Sequence, residues 1–215
     1  MYLPAHFREE RPDVLRTLIQ RHPLGTIITF GASGLSANLV PFTLAEAADP
    51  AAPMVLRCHV ARANPQIADL SAGAECLVLF QGPEAYISPA WYATKAATGR
   101  VVPTWNYAMV QARGVPRLID DPVWIMAQIE ALTGEHESPR PEPWAVADAP
   151  SSFVEGMLRA IVGVEIAVTR CEGKWKTSQN RPVEDRRGVV AGLERERPER
   201  EAMANLVRRT LPTEG

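Results

Sequence analysis

Apolar residues recur along this chain mainly with the two-residue period of strands, and only a few segments carry helical spacing. Pro12 to Arg21 is one of these: Val14, Leu15, Leu18 and Ile19 form a stripe, Pro12 suits a first helical position, and the following HPLG ends the run. Residues 26–44 read as two β-rich runs about a tip at Gly31–Gly34, a hairpin signal. Further strands are expected at 53–61, 74–80, 84–88, 100–119 and 161–177, with a short helix at 64–73. Asp121 can cap a helix that Pro122 begins and Gly134 ends. Residues 135–152, rich in proline and polar groups, read as a surface loop, 153–160 as a helix, and the part from Pro182 on as charged and mostly helical. Six or seven strands without regular helical crossovers point to a mainly β (α+β) barrel with peripheral helices, not a doubly wound parallel sheet.

Composition narrows the possibilities. At 215 residues, with 46% hydrophobic and 22% charged residues, the chain resembles an ordinary soluble domain. A formal charge of -2 advertises neither nucleic acid nor an anionic membrane, and no apolar run approaches a bilayer span. The N-terminus shows no signal-peptide pattern, so a cytoplasmic location is expected. Cys58, Cys76 and Cys171, odd in number and far apart, read as buried thiols. His6, His22, His59 and His136 lack metal-ligand spacing, and no nucleophile elbow, Walker loop or dinucleotide fingerprint is present.

Two stretches carry candidate chemistry. In the first, strand alternation puts Met54, Leu56, Cys58 and Val60 on one face and Val55, Arg57, His59 and Ala61 on the other. Arg62 follows, and Asn64-Pro65 can start a helix whose free N–H groups point back at the basic residues. HVARANPQ (59–66) can therefore be an anion site; it can equally be a helix cap with its basic groups paired to acids such as Asp69. In the second, residues 85–107 combine tryptophans and tyrosines with a small, polar segment at 93–100, expected to be a flexible connection. Lys95 or Arg100 could supply charge there, Trp105 a stacking surface, and Asn106 an amide for a heterocycle edge; the aromatics could instead plug a barrel or line a subunit interface. Ser178 to Arg181 form a polar cluster that either closes over a ligand or makes a turn and cap. Between Lys174 and Arg209, ten Lys/Arg stand against six Asp/Glu, interleaved as on a solvated face.

Together LVPFTL, HVARANPQ, AYISPAWYATK, VVPTWNY and SQNRP followed by GVVAGLE resemble, in order and spacing, the PaiB-like family of FMN-binding negative transcriptional regulators. The resemblance runs from Met1 to about Leu193; Thr177 departs from it, standing where an apolar residue is expected. It implies a split β-barrel domain at 1–193, shared with pyridoxamine-phosphate oxidases and small flavin reductases, and a charged helical tail at 194–215. It also implies a homodimer with FMN near the subunit interface. Residue by residue, Arg57, His59, Arg62 and Asn64 would hold the phosphate, and Asn38, Val40 and Pro41 would lie along the isoalloxazine. Lys95, Trp105 and Asn106 would close the site, with Gln179, Asn180 and Arg181 reaching over it. The implied role is a dimeric transcriptional regulator, although no helix-turn-helix is visible; a flavin-dependent oxidoreductase is the alternative, and haem handling, with His59 as the available ligand, a third.

Overall fold

A computed structural model describes residues 1–45 and 53–212. In chain order the elements are β1 (Arg8–Glu9), α1 (Pro12–Arg21), β2 (Leu24–Gly31), β3 (Gly34–Pro41), β4 (Thr43–Leu44), β5 (Val55–Ala61), α2 (Ile67–Leu70), β6 (Cys76–Ile87) and α3 (Ala93–Thr98). They continue with β7 (Thr104–Ile119), α4 (Pro122–Glu137), α5 (Ser151–Arg159), β8 (Ile161–Lys176), α6 (Val183–Glu196) and α7 (Glu201–Arg208). The strands form one open antiparallel sheet in the order β3-β2-β6-β7-β8-β5-β4, with β1 paired to β8. This is the mainly β class with peripheral helices that the sequence predicts. The strand count rises to eight because β1 and β4, two residues each, are too short to leave a periodic signal.

The chain clusters into two compact units. One comprises Ile19–Phe80 and Gln111–Cys171; the other comprises Met1–Leu18, Gln81–Val110 and Glu172–Gly215. In the first, β2 and β3 pair in the register Phe30↔Leu35 to Leu24↔Pro41, and Gly34, at φ 96°, takes the backbone conformation the tight tip needs. Its core gathers Ile27, Phe42, Leu56, Cys58, Val78, Phe80 and Ile166, all essentially inaccessible, with Phe42 and Phe80 edge to face at 5.5 Å. Each such side chain contributes about 1.5–3 kcal/mol on burial. The core of the second unit is built largely by the C-terminal helices: Val189, Val190 and Leu193 of α6 and Met203, Ala204 and Val207 of α7 pack with Ala85, Ile87 and Tyr92.

Four sequence expectations change. The strands at 74–80 and 84–88 are one strand, β6, because Gly82 is not a turn residue: a Cβ there would meet Leu18 Cδ1 at 2.9 Å and the Ala108 carbonyl at 3.2 Å. Gly82 permits close packing while the backbone stays extended. The supposed flexible connection at 93–100 contains α3, closed by Gly99 at φ 64°. Its alanines favour helix, and the buried Asp185 carboxylate accepts from Thr94 N and Oγ1, both at 2.9 Å. Helix α4 begins as expected, with Asp121 Oδ1 accepting from Val123 N at 2.9 Å, but runs through Gly134 to Glu137. Finally, α2 is a single turn.

Helix α4 lies across β5 and β8 within its unit, and Gly163 makes the room: a Cβ at that position would collide with the Trp124 ring. Gly163→Ala is expected to cost roughly 1–3 kcal/mol through overpacking, read as a lowered thermal midpoint.

Candidate functional site

Within the unit carrying the hairpin, the alternation of β5 holds as expected. Leu56, Cys58 and Val60 are buried, and burial pushes the Cys58 thiol well above its usual range; Arg57 and His59 face the other way and are half-buried. That second face is covered by α4. The Arg57 guanidinium lies 5.5 Å from the centre of the Trp124 ring, and its Nε donates to Glu165 Oε2 at 2.9 Å. Glu165 Oε1 accepts from Arg117 at 2.7 Å, so one carboxylate serves two arginines. One helical turn along α4, Gln128 Oε1 stands 2.7 Å from His59 Nδ1. With that oxygen accepting, His59 donates through Nδ1 and keeps Nε2 as an acceptor. Gln128 Nε2 is buried without a partner.

Arg62 lies beyond the strand end, where the chain is exposed. Its guanidinium forks onto the Asp120 carboxylate, and Nε donates to the Arg159 carbonyl at 3.0 Å. The mutual hydrogen bond raises the Arg62 pKa and lowers that of Asp120. These residues line a cavity of about 500 Å³ with Pro122, Ile125 and Leu158. Asn64 does cap, but a turn rather than a long helix: its Oδ1 accepts from Gln66 N at 3.0 Å, and its carbonyl from Ile67 N at 3.1 Å. With α2 only four residues long, the helix-dipole part of the anion argument has little to act through. The pairing of the arginines is as the helix-cap reading has it, though the acids are Glu165 and Asp120. Asp69 instead accepts from Thr29 Oγ1 at 2.9 Å.

Sequence reasoning overlooked the residue that organises this region. Gln66 is 2% exposed; its Nε2 lies within 3.2–3.4 Å of the Ile27 carbonyl, Thr29 Oγ1 and the Ser36 carbonyl, and its Oε1 accepts from Asn38 Nδ2 at 2.9 Å. Asn38 is thereby fixed on β3, with Val40 buried and Pro41 partly exposed on the same strand. The available signal was Gln66 itself, a polar residue ahead of the apolar pair Ile67 and Leu70. Trp124 and Gln128 were legible only as an i, i+4 pair on a helix whose polar positions follow no clean stripe.

In the other unit, Trp105 is half-exposed and meets Tyr86 edge to face at 6.0 Å, and Lys95 is exposed on α3. Asn106 is only 1% exposed; its Nδ2 donates to Ser178 Oγ at 2.8 Å, while its Oδ1 has no partner. Ser178 sits in the left-handed region at φ 66°. Gln179 folds back on its own turn: its Oε1 accepts from Thr177 N at 2.8 Å, and its Nε2 donates to the Trp175 carbonyl at 2.5 Å. Thr177 is buried in spite of its hydroxyl. Asn180 is exposed, and the Arg181 guanidinium stacks 4.8 Å from the Tyr92 ring centre. The predicted residues thus form two sets, each assembled within its own unit.

Over residues 1–170 the chain matches the family described as "putative FMN-binding domain". It is a PaiB-like member of that family. An uncharacterized protein of Emericella nidulans is 38% identical over 227 residues, covering 90% of each chain. The Bacillus subtilis protease synthase and sporulation protein PAI 2 is 29% identical, covering 96% of each. Among solved structures, the FAD and heme binding protein from Mycobacterium smegmatis superposes with a TM-score of 0.58 at 16% identity, over 79% of this chain and 73% of that one. The fold is therefore the split barrel expected of this PaiB-like chain. Among the described residues, no helix is long and apolar enough to cross a membrane.

Burial raises the Glu165 pKa, but hydrogen bonds from Arg117 and Arg57 outweigh it, and the carboxyl titrates below the ordinary 4.5. A depressed folded-state pKa gives stability that is complete above the ordinary glutamate range and lost as pH falls through the folded value. Glu165→Gln is expected to flatten the acid limb of stability against pH, measured by urea unfolding between about pH 6 and 3.

Proposed function

We propose that this protein binds FMN as a homodimer and acts as a PaiB-type regulator. The observation that carries the flavin reading is the match of residues 1–170 to a putative FMN-binding domain. In the hairpin unit, His59, Asn64 and Arg62 are the proposed phosphate contacts, His59 Nε2 accepting from the O–H of a monoprotonated phosphate, with Asn38, Val40 and Pro41 along the ring. Arg57, shared between Trp124 and Glu165, has less to give an incoming anion. Gln179, tied into its own turn, acts by shaping the loop that presents Asn180 and Arg181.

The dimer reading rests on β2 and β3. Leu24, Phe30, Leu35 and Leu39 are all exposed on this hairpin, Phe30 by 73% and Leu35 by 78%, and the register puts those two side by side. A patch of this kind on a sheet is what a second copy would cover. The regulatory role draws on the PAI 2 relative and on the family resemblance.

Titration with FMN, followed by flavin absorbance and fluorescence, should show saturable uptake. Arg62→Ala should weaken it roughly ten-fold, because one charge-assisted contact is lost and the Asp120 carboxylate is left facing the anion. No uptake by the wild type removes the flavin reading; unchanged affinity in Arg62→Ala removes Arg62 from the site. For regulation, upstream DNA should be retained in a gel-shift assay and released by salt; no retention at low salt defeats that role.

A further inference from the structure

Two hydrogen bonds join the start of β7 to the end of β8 and the turn that follows it. Lys176 Nζ donates to Thr104 Oγ1 at 2.5 Å, and Asn106 Nδ2 donates to Ser178 Oγ at 2.8 Å. Thr104 and Asn106, two apart on β7, lie about 7 Å apart, so the four side chains make one polar cluster. Arg181 belongs to it through the backbone, its N–H donating to the Ser178 carbonyl at 2.9 Å. Lys174, two residues before Lys176, is 9% exposed; its ammonium donates to the Tyr2 carbonyl at 3.0 Å and faces the Tyr107 ring at 5.4 Å.

The charges here are unbalanced. Among the described residues, no carboxylate is ion-paired with Lys174, Lys176 or Arg181, whereas Arg57, Arg62, Arg113, Arg117 and Arg200 all have acid partners. The nearby acid, Asp185, accepts from Thr94 N and Oγ1 and is one carboxylate against three cations. Burial holds the Lys176 pKa below its ordinary value; Tyr107 opposes that, while Lys174 and Arg181 add to it. Gathering three cations, Lys174 buried and Lys176 and Arg181 half-buried, about a single carboxylate is unfavourable unless an anion completes them. A non-glycine residue at positive φ is a further cost, of a kind that accumulates at binding sites.

We propose that Lys176, Arg181 and the Asn106–Ser178 pair form a recognition site for the phosphate group of a small molecule. Phosphate is favoured over carboxylate by Asn106 Oδ1, which needs a donor. An ionised carboxylate has none, whereas a monoprotonated phosphate offers an O–H beside oxygens that accept from Lys176, Arg181 and the Ser178 hydroxyl. The phosphate belongs to a ligand other than FMN, whose own phosphate is proposed at Arg62 and His59. The site stands without the FMN reading.

The probe is inorganic phosphate, titrated into the full chain by calorimetry in a chloride buffer of constant ionic strength. The wild type should bind it saturably, and Lys176→Met and Arg181→Gln should each weaken binding at least ten-fold while circular dichroism stays unchanged. Should Lys176→Met not fold, Arg181→Gln carries the comparison. The source follows from comparing FMN with riboflavin, which lacks the phosphate. If Lys176→Met erases the preference for FMN over riboflavin, the site is the cofactor's and the proposal is overturned; if the preference persists while inorganic phosphate binding is lost, the ligand is another. An absence of saturable phosphate binding in the wild type, or equal binding in the folded variants, overturns the proposal. Failure of the wild type to take up FMN would instead remove the flavin reading and leave this site standing.

Discussion

A single buried amide holds the hairpin unit in the form its candidate site requires. Gln66 cannot be left half-satisfied in the interior, because an unmade hydrogen bond there costs about 1–3 kcal/mol. Its donors reach backbone on both β2 and β3, and its acceptor takes the Asn38 amide, so the turn after β5 and the hairpin are fixed by one side chain. Asp69 adds a second tie to β2 through Thr29. The placement of Asn64, and of Arg62 just before it, follows from this: the turn has nowhere else to go once Gln66 is seated.

The two units solve the problem of polar burial differently. In the hairpin unit, Arg57, Arg62 and Arg117 each end on an acid, and aromatic stacking adds a second partner for Arg57. That arrangement is electrostatically closed, and an incoming anion must displace carboxylates to be received. In the other unit, the cations at the end of β8 meet hydroxyls, a carbonyl and aromatic faces. It is electrostatically open. The same sequence chemistry, basic residues near a strand end, therefore means different things according to what the neighbouring elements bring.

Much of this was legible in the sequence where punctuation and period agree. Pro12 and the apolar stripe after it gave α1 residue for residue, and Gly31–Gly34 gave the hairpin, because those signals are local. Gly82 and residues 93–98 misled for the opposite reason. Whether a glycine turns or merely makes room depends on Leu18 and Ala108, far away in the chain, and whether ATKAAT is a helix depends on a cap lent by Asp185. At the candidate site, the chemistry-bearing types could be named in advance but their partners could not. Nothing in HVARANPQ says that Trp124 and Gln128 will lie over Arg57 and His59, and the prominence of its charges drew attention from Gln66.

Ser178 narrows which residues can stand at its position. Glycine would adopt φ 66° at no steric cost, yet it would strip the Asn106 amide of its remaining partner. Asparagine tolerates the left-handed conformation and brings an acceptor, but it is bulkier than the buried position now holds. Threonine keeps the hydroxyl and adds a β-branch that this backbone resists. Drift at this site is thus confined by two demands that no other side chain meets equally well, and homologous chains that break one of them should be found to have changed Asn106 as well.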